Sequence, residues 1–572
     1  MPRLDTDIEH LLRRAAFGAS PIDIQTYAGM SRSALVSYLV DYEGRPDDVD
    51  ARIGRPDHAQ VSTQYLFTPD IRIEDARQRW LFRMIHSKRP LQEKMSLFWH
   101  NHFATSYGKL AGQISSVQAT KMMALKAGVL RGPQGQIELF RQYALGNFRD
   151  LLLQVARDPA MLVWLDGQSN VKAVPQENFA REVMELFTLG VGNYTEADVR
   201  AAARVFTGWN LGENEGQSYD DPNGYYEFVY NPSEHDTDEK TFTFPIYANG
   251  NRTIPARSES GGMQDGIDFL NALATHPATA RRLATKFWRF FVSELAPPDP
   301  AFLDATAAVY LQNKTEIRPV IRHVLSSSWF NDPTYQFTRY SWPAEFVVRA
   351  IKEVGWQNYS LDRVLDPLAN MGMQLYEPPN VGGWPGGAAW VSTATMMTRS
   401  NFAATLAANQ REFLAVDTYG PMDGHRKRCS PACSIVCGWR RSIRPRSAHW
   451  KPTCSLKRTG AAGLSSFEHE PPDWHACWSA HPNTNSCKEH RWISPVDSSS
   501  STASPLSSLS LAAPAFLRSI AAAQGLPNRR LVVIYLGGGN DALNTLVSYK
   551  RPRLLRPSSD HCDSAGTGAA GR

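Results

Sequence analysis

A chain of 572 residues, 42% hydrophobic and 20% charged, has the composition of a globular protein with room for roughly two to four domains. No run of about 18 apolar residues occurs, which excludes a transmembrane helix, and the N-terminus MPRLDTDIEHLLRRAAFG has no apolar signal-peptide core. The net charge of +5 traces to one segment: residues 424–467 hold ten Lys and Arg and no Asp or Glu, leaving 51 basic against 56 acidic residues elsewhere, without the basic footprint of a nucleic-acid binder. As given, the chain reads as cytoplasmic; a start codon further upstream would make it exported.

Residues 5–45 read as two short helices, the second started by Ser20-Pro21. Ile8, Leu11, Leu12 and Ala15 form the apolar face of the first. His10, Arg13 and Arg14 line its other side, either as a solvated basic face or as anion ligands. Two helices follow between Ile73 and Ala104, broken at Arg89-Pro90. In the second, Leu91, Met95, Phe98 and His102 share a face, so His102 points inward and His100 toward the surface. Histidines at i and i+2 cannot hold one metal from a regular helix, where i, i+4 is the ligand spacing. His102 is therefore a buried hydrogen-bonded residue, or a single ligand or general base. Residues 112–174 hold more helix, punctuated at Asp158-Pro159, with Trp164 in the core.

The stretch 175–209 is the densest run of polar residues at helical spacing. Phe179, Val183, Leu186 and Phe187 repeat as one buried face, and Asn178, Glu182 and Glu185 form a polar stripe beside it, with Arg181 nearby. Gly190 and Gly192 end this helix, and Thr195 with Asp198 makes a capping box that starts the next, so the unit is a helical hairpin. Two carboxylates one turn apart at the edge of a core need a cation, a donor or a proton. Arg181, His102 or a divalent metal held by His102 and Glu182 would supply it. The expectation is that Glu182 faces a partly closed polar pocket with a cationic side chain in hydrogen-bond reach.

Residues 211–262 change character. YYEFVY and KTFTFPIY are short β-like segments flanking NPSEHDTDE, which suggests a hairpin-like surface insertion with a solvated tip, or a His235-Asp236 proton-transfer pair within it. Helices resume to residue 354, including ATARRLATKFWRFFV with its basic side of Arg281, Arg282, Lys286 and Arg289. EPPNVGGWPGGAAWVS is too rich in Pro and Gly for helix and reads as an ordered loop. Trp384 and Trp390 in it either plug the helical core or stack on sugars.

Beyond residue 417 the composition steps. All seven cysteines lie after residue 428, and Cys429, Cys433 and Cys437 have spacing unlike the paired Cys-x2-Cys of zinc modules. A Cys/His metal domain, a disulfide-rich module and a wrong reading frame are the alternatives. SSSSTASPLSSLSLAAPAFLRSIAAAQG resembles an export signal stranded mid-chain, as a base insertion or deletion joining two genes would produce. RRLVVIYLGGGNDALNTLVSY then reads as a strand and Gly turn; Gly537, Gly539 and Ala542 fit a dinucleotide fingerprint, but too little chain follows for a complete unit.

NFAREVMELFTLG and YTEADVRAAARVFTGW, with HLLRRAAFGAS, KMSLFWHNHF and NVGGWPGGAAWVS, resemble the bacterial domain-of-unknown-function family 1800 over about residues 5–415. The resemblance implies a helical bacterial domain, often encoded beside a protein of family 1501, and brings no catalytic residues. Residues 505–548 resemble the mature N-terminus of family 1501, similar to the alkaline phosphatase superfamily, which would place Asp541 at a metal-ligand position.

The organisation expected is a mainly α domain of stacked helical hairpins over 1–417 with a β-hairpin-like insertion at about 211–262. A low-order Cys/Arg/Ser-rich segment over 418–504, a signal-like and family-1501-like stretch over 505–548 and a disordered end over 549–572 follow. Three functions are consistent with it: a scaffold acting with a family 1501 partner; a metal-dependent, hydrolase-like enzyme using Glu182, Glu185 and a histidine; and glycan binding through Trp384 and Trp390.

Overall fold

The computed structural model describes residues 4–62, 64–214, 221–354, 360–407, 530–533 and 546–549. The chain divides into two units, Met1–Arg440 and Arg441–Arg572. In the second, Arg530–Val533 pairs antiparallel with Leu546–Tyr549. The boundary at 417, the cysteine cluster, the signal-like stretch and Asp541 lie outside the described residues.

The first unit is mainly helical, as the periodicity implies. Its helices start where short polar side chains satisfy free amides: Ser20 accepts from Asp23 N at 3.1 Å, and Thr195 and Asp198 cap reciprocally. Consecutive helices pack as hairpins, among them Glu177–Glu182 with Glu196–Val205 and Pro277–Phe287 with Pro300–Gln312. The ends of the unit meet, because the helix Arg32–Val40 packs on Ile317–Ser326 and Arg32 donates to the Leu325 carbonyl at 2.5 Å. That closure brings the first helix, Thr6–Ala15, against residues 335–349.

Two helices lose α geometry at their C-terminal ends. Glu177–Glu182 continues as a π-helix over Val183–Phe187, and Pro277–Phe287 as another over Trp288–Val292. The wider turn departs from the regular 100° spacing read for the Glu182/Glu185 stripe, and such segments cluster at functional positions.

The insertion is β, but its pairing corrects the expected one. Tyr225–Tyr230 pairs antiparallel with Trp209–Asn214, which precedes it, while Lys240–Thr241 pairs with Thr253–Ile254. Gly208 makes the first pairing possible: its φ is +81°, and a Cβ there would lie 2.5 Å from the Asn231 carbonyl oxygen. In the segment read as a solvated tip, Pro232, Ser233, Asp238 and Glu239 are exposed, while His235 folds inward. His235 is fully buried, Nε2 facing Asp265 Oδ2 at 3.3 Å, while Asp236 pairs with Arg204 at 2.7 Å, so the His235-Asp236 pair does not form.

Candidate functional site

The helical hairpin stands where the sequence put it: Phe179, Val183 and Phe187 are buried, and Gly190 and Gly192 turn the chain at φ +86°. Its polar stripe divides. Asn178 Nδ2 donates to Asp166 Oδ2 at 2.9 Å, and Glu185 accepts the Tyr194 hydroxyl. Arg181 leaves the stripe and forms ion pairs with Glu177 at 3.1 Å and with Glu196, across the hairpin, at 2.7 Å. This corrects the expected partnership, because a bidentate carboxylate on the second helix outcompetes Glu182 for the guanidinium. Glu182 is half-buried and has no hydrogen bond or ion pair to any described residue. Burial and the neighbouring Glu185 raise its pKa above the ordinary carboxylate value.

Both histidines of the helix Pro90–His102 are buried, which corrects the surface position expected of His100. The helix is covered all round: His100 lies among Trp80, Tyr376 and Trp384, with ring centroids 5.6, 5.9 and 5.3 Å away. Burial lowers it to about 3, and it lowers His102 well below the ordinary value, so both rings are neutral. His102 Nε2 donates to the Phe187 carbonyl at 3.0 Å, at the end of the π-helix, and its Nδ1 has no partner. No hydrogen bond or ion pair joins His102 to Glu182. Among the described residues no group of three or more His, Cys, Asp or Glu side chains gathers as metal ligands.

The Pro- and Gly-rich loop is held against the core. Asn101 Oδ1 accepts from Trp384 N at 2.6 Å, Glu294 Oε2 accepts from Gly387 N at 2.9 Å, and Glu377 accepts from the Ser106 hydroxyl at 2.6 Å. Trp384 and Trp390 are 4% and 2% exposed. A sugar platform needs an open ring face, and neither indole has one, so both fill the core.

A second group of charges lies elsewhere, under the first helix. A cavity of about 60 Å³ is lined by His10, Arg13, Arg14, Arg339, Glu345 and Arg349. Its aromatic walls include Phe17 and Phe337, both with positive φ (57° and 59°). Gly18, at φ +82°, completes the turn after the helix; a Cβ there would stand 2.7 Å from Arg349 Cγ. Of the lining residues, the sequence singled out only His10, Arg13 and Arg14. Arg14 is buried rather than solvated, donating to the carbonyls of Phe291 and Phe290, each at 2.7 Å.

Charge pairing in the wall is incomplete. Lys94, fully buried, is bonded to Glu345 Oε1, which also takes Arg339 Nη1 at 3.1 Å. Arg339 Nε meets Glu294 at 3.2 Å, and its buried Nη2 has no partner. Arg13 Nε is likewise buried and unpartnered, and Arg349 reaches Glu353 only at 3.6 Å. Burial alone would raise Glu345, but Arg339 and Lys94 hold it at about 2, so it stays ionised. Burial, reinforced by Arg14 and Arg32, lowers His10 to about 3, which leaves a neutral ring between Phe330 and Phe337. Lys94 falls to about 8 and Arg14 to about 9, in both cases chiefly through burial. The arrangement offers guanidinium N–H groups from three separate segments to one small space, and anions are what such donors bind.

A family model described as "Protein of unknown function (DUF1800)" matches residues 10–516, a span that takes in the pocket and the hairpin and runs on past residue 417. No curated protein and no solved structure matches the chain.

Proposed function

The chain belongs to the DUF1800 family, and on that premise we propose that it is a binding protein that recognises an anionic group in the arginine-lined pocket. The observation that carries this reading is Arg339: its side chain is only 5% exposed, it lines the cavity, and Nη2 donates to nothing. A buried charged donor without a partner is costly, and an anion in the cavity would satisfy it. We further propose that the protein acts with a family 1501 partner, a reading supported by the likeness of residues 505–548 to that family.

The test is thermal unfolding of the full chain at constant ionic strength, with chloride replaced in turn by phosphate, sulfate and acetate. A ligand that binds only the folded state raises the midpoint with concentration. The reading expects such a rise with at least one anion, smaller in Arg13→Gln, whose partly exposed side chain lies at the rim. No rise with any anion would refute it.

An enzymatic reading keeps one observation, the unpaired and half-buried Glu182 beside Glu185. A cation brought by a substrate or metal would relieve both carboxylates. Elemental analysis of the purified chain tests the metal form of this reading, and stoichiometric metal lost in Glu182→Gln would favour it.

A further inference from the structure

We infer that the group taken by the pocket is a tetrahedral dianion, a phosphate or sulfate, in preference to a carboxylate. The inference rests on the anion-binding reading above and extends it by counting charge and donors. Six cations meet at the pocket and in the residues bonded to its wall: Arg13, Arg14, Lys94, Arg339, Arg349 and Arg399. Four carboxylates face them, those of Glu9, Glu294, Glu345 and Glu353. Arg14 and Arg399 are held by backbone carbonyls, which bring no charge: Phe290 and Phe291 for the first, Ser341 for the second. Among the described residues, two positive charges remain uncompensated in a largely buried place. A monoanion would cancel one of them, and a dianion cancels both.

The donor geometry points the same way. A carboxylate presents its two oxygens in one plane, where a single guanidinium fork can take both. Here the donors come from different directions: the buried, unpartnered Arg13 Nε from the first helix, Arg339 Nη2 from the segment before residue 343, and the partly exposed Arg349, 3.6 Å from Glu353, from the helix Pro343–Val354. Three separate guanidiniums suit an oxygen cluster with vertices on all sides. The cavity, about 60 Å³, has room for roughly four waters, the bulk of one such group and too little for a nucleoside or sugar inside. Phe337, 46% exposed and under Arg13 at 5.0 Å, leaves the rim open, so a monoester could extend past it.

Isothermal titration of the full chain at constant ionic strength decides the matter, using inorganic phosphate, sulfate, methyl phosphate and acetate as probes. Phosphate and sulfate should bind at least about tenfold more tightly than acetate, since each unpaired charge left in the pocket weakens the complex by an amount of that order. Phosphate affinity should rise from about pH 5.5 to about pH 7.5, as its second proton leaves, while sulfate affinity stays level. His10, at about 3, and Arg14, at about 9, keep their charge states across that range, and Lys94, at about 8, begins to lose its charge only toward the upper end, which would weaken binding, so the rise reports the ligand. Methyl phosphate binding as well as phosphate would assign the site to esters, and its exclusion to the free ion; both support the dianion. Arg13→Gln and Arg349→Gln, with side chains on the partly exposed side of the pocket, should each weaken phosphate about tenfold. Acetate binding as tightly as phosphate would overturn the dianion while leaving the anion reading intact. Unchanged phosphate affinity in both variants would place any binding elsewhere and overturn both.

Discussion

Asp158 is a buried carboxyl group whose surroundings push its pKa well above the ordinary value. It caps the helix Pro159–Trp164 by accepting Met161 N at 3.1 Å, takes Gln136 Nε2 at 2.6 Å, and is 4% exposed. Burial raises its pKa, the bonds from Gln136 and the helix amides pull it back, and the balance stands at about 7 against 3.8 for the free side chain. At about 1.4 kcal/mol per pH unit the gap is worth about 4 kcal/mol. The sign follows from proton counts. Below 3.8 both states are protonated; between 3.8 and about 7 the unfolded chain releases a proton that the folded protein keeps, so stability falls as pH rises; above about 7 the full penalty applies. Asp158→Asn keeps a capping oxygen and removes the titration. Denaturant unfolding of both proteins from about pH 5 to about pH 9 would isolate the effect, because other titrating groups cancel in the difference. The variant should gain on the wild type by a few kcal/mol across that range. A difference independent of pH would refute the argument.

Trp384→Ala should lower stability by about 3 kcal/mol or more, as loss of a buried indole does, and an unchanged denaturant midpoint would return Trp384 to the surface. Glu182→Gln should flatten a modest decline in stability as pH rises through the carboxylate range, since the folded pKa is raised; the effect should stay below about 1 kcal/mol because Glu182 is partly solvated. Identical pH profiles for the two proteins would remove Glu182 from any charged site. Gly18→Ala forces a side chain into positive φ and against Arg349, and should destabilise by about 1–2 kcal/mol, read as a shift in thermal midpoint; no shift would mean the turn relaxes freely.

Local signals carried much of the fold. Ser20 with Asp23, Thr195 with Asp198, and Gly190 with Gly192 announce helix ends through chemistry confined to a few residues, and each end stands where that chemistry puts it. Faces were less secure, because periodicity assumes that one side of a helix meets solvent. The helix Pro90–His102 meets protein on all sides, so Lys94 and His100, which a one-sided helix would turn outward, are buried with Met95 and Phe98. Strand pairing failed for a related reason. YYEFVY has two β-like neighbours, and nothing local says that it returns to Trp209–Asn214 through the turn at Gly208 rather than going forward to KTFTFPIY.

The candidate site was legible only in its first third. His10, Arg13 and Arg14 are visible as a basic cluster, but Lys94, Arg339 and Arg349 join them from segments far along the chain, and whether their charges cancel is a tertiary property. A second buried network shows why the lack of cancellation matters. Arg79, Arg83, Arg141 and Lys126 meet Asp47, Asp50, Glu93 and Glu138, with Arg83 to Glu93 at 2.7 Å, Arg141 to Glu93 at 3.0 Å, Arg79 to Glu138 at 2.8 Å and Lys126 to Asp50 at 3.0 Å. Each of these cations has a carboxylate partner, as buried ion pairs require if desolvation is to be offset. Under the first helix, among the described residues, two cations stand in excess, Arg339 Nη2 has no partner, and the cavity has about the size of one oxoanion. Each cation of the second network stands against a carboxylate, whereas Arg14 and Arg399 rest on backbone carbonyls, and a ligand that brings negative charge accounts for the difference.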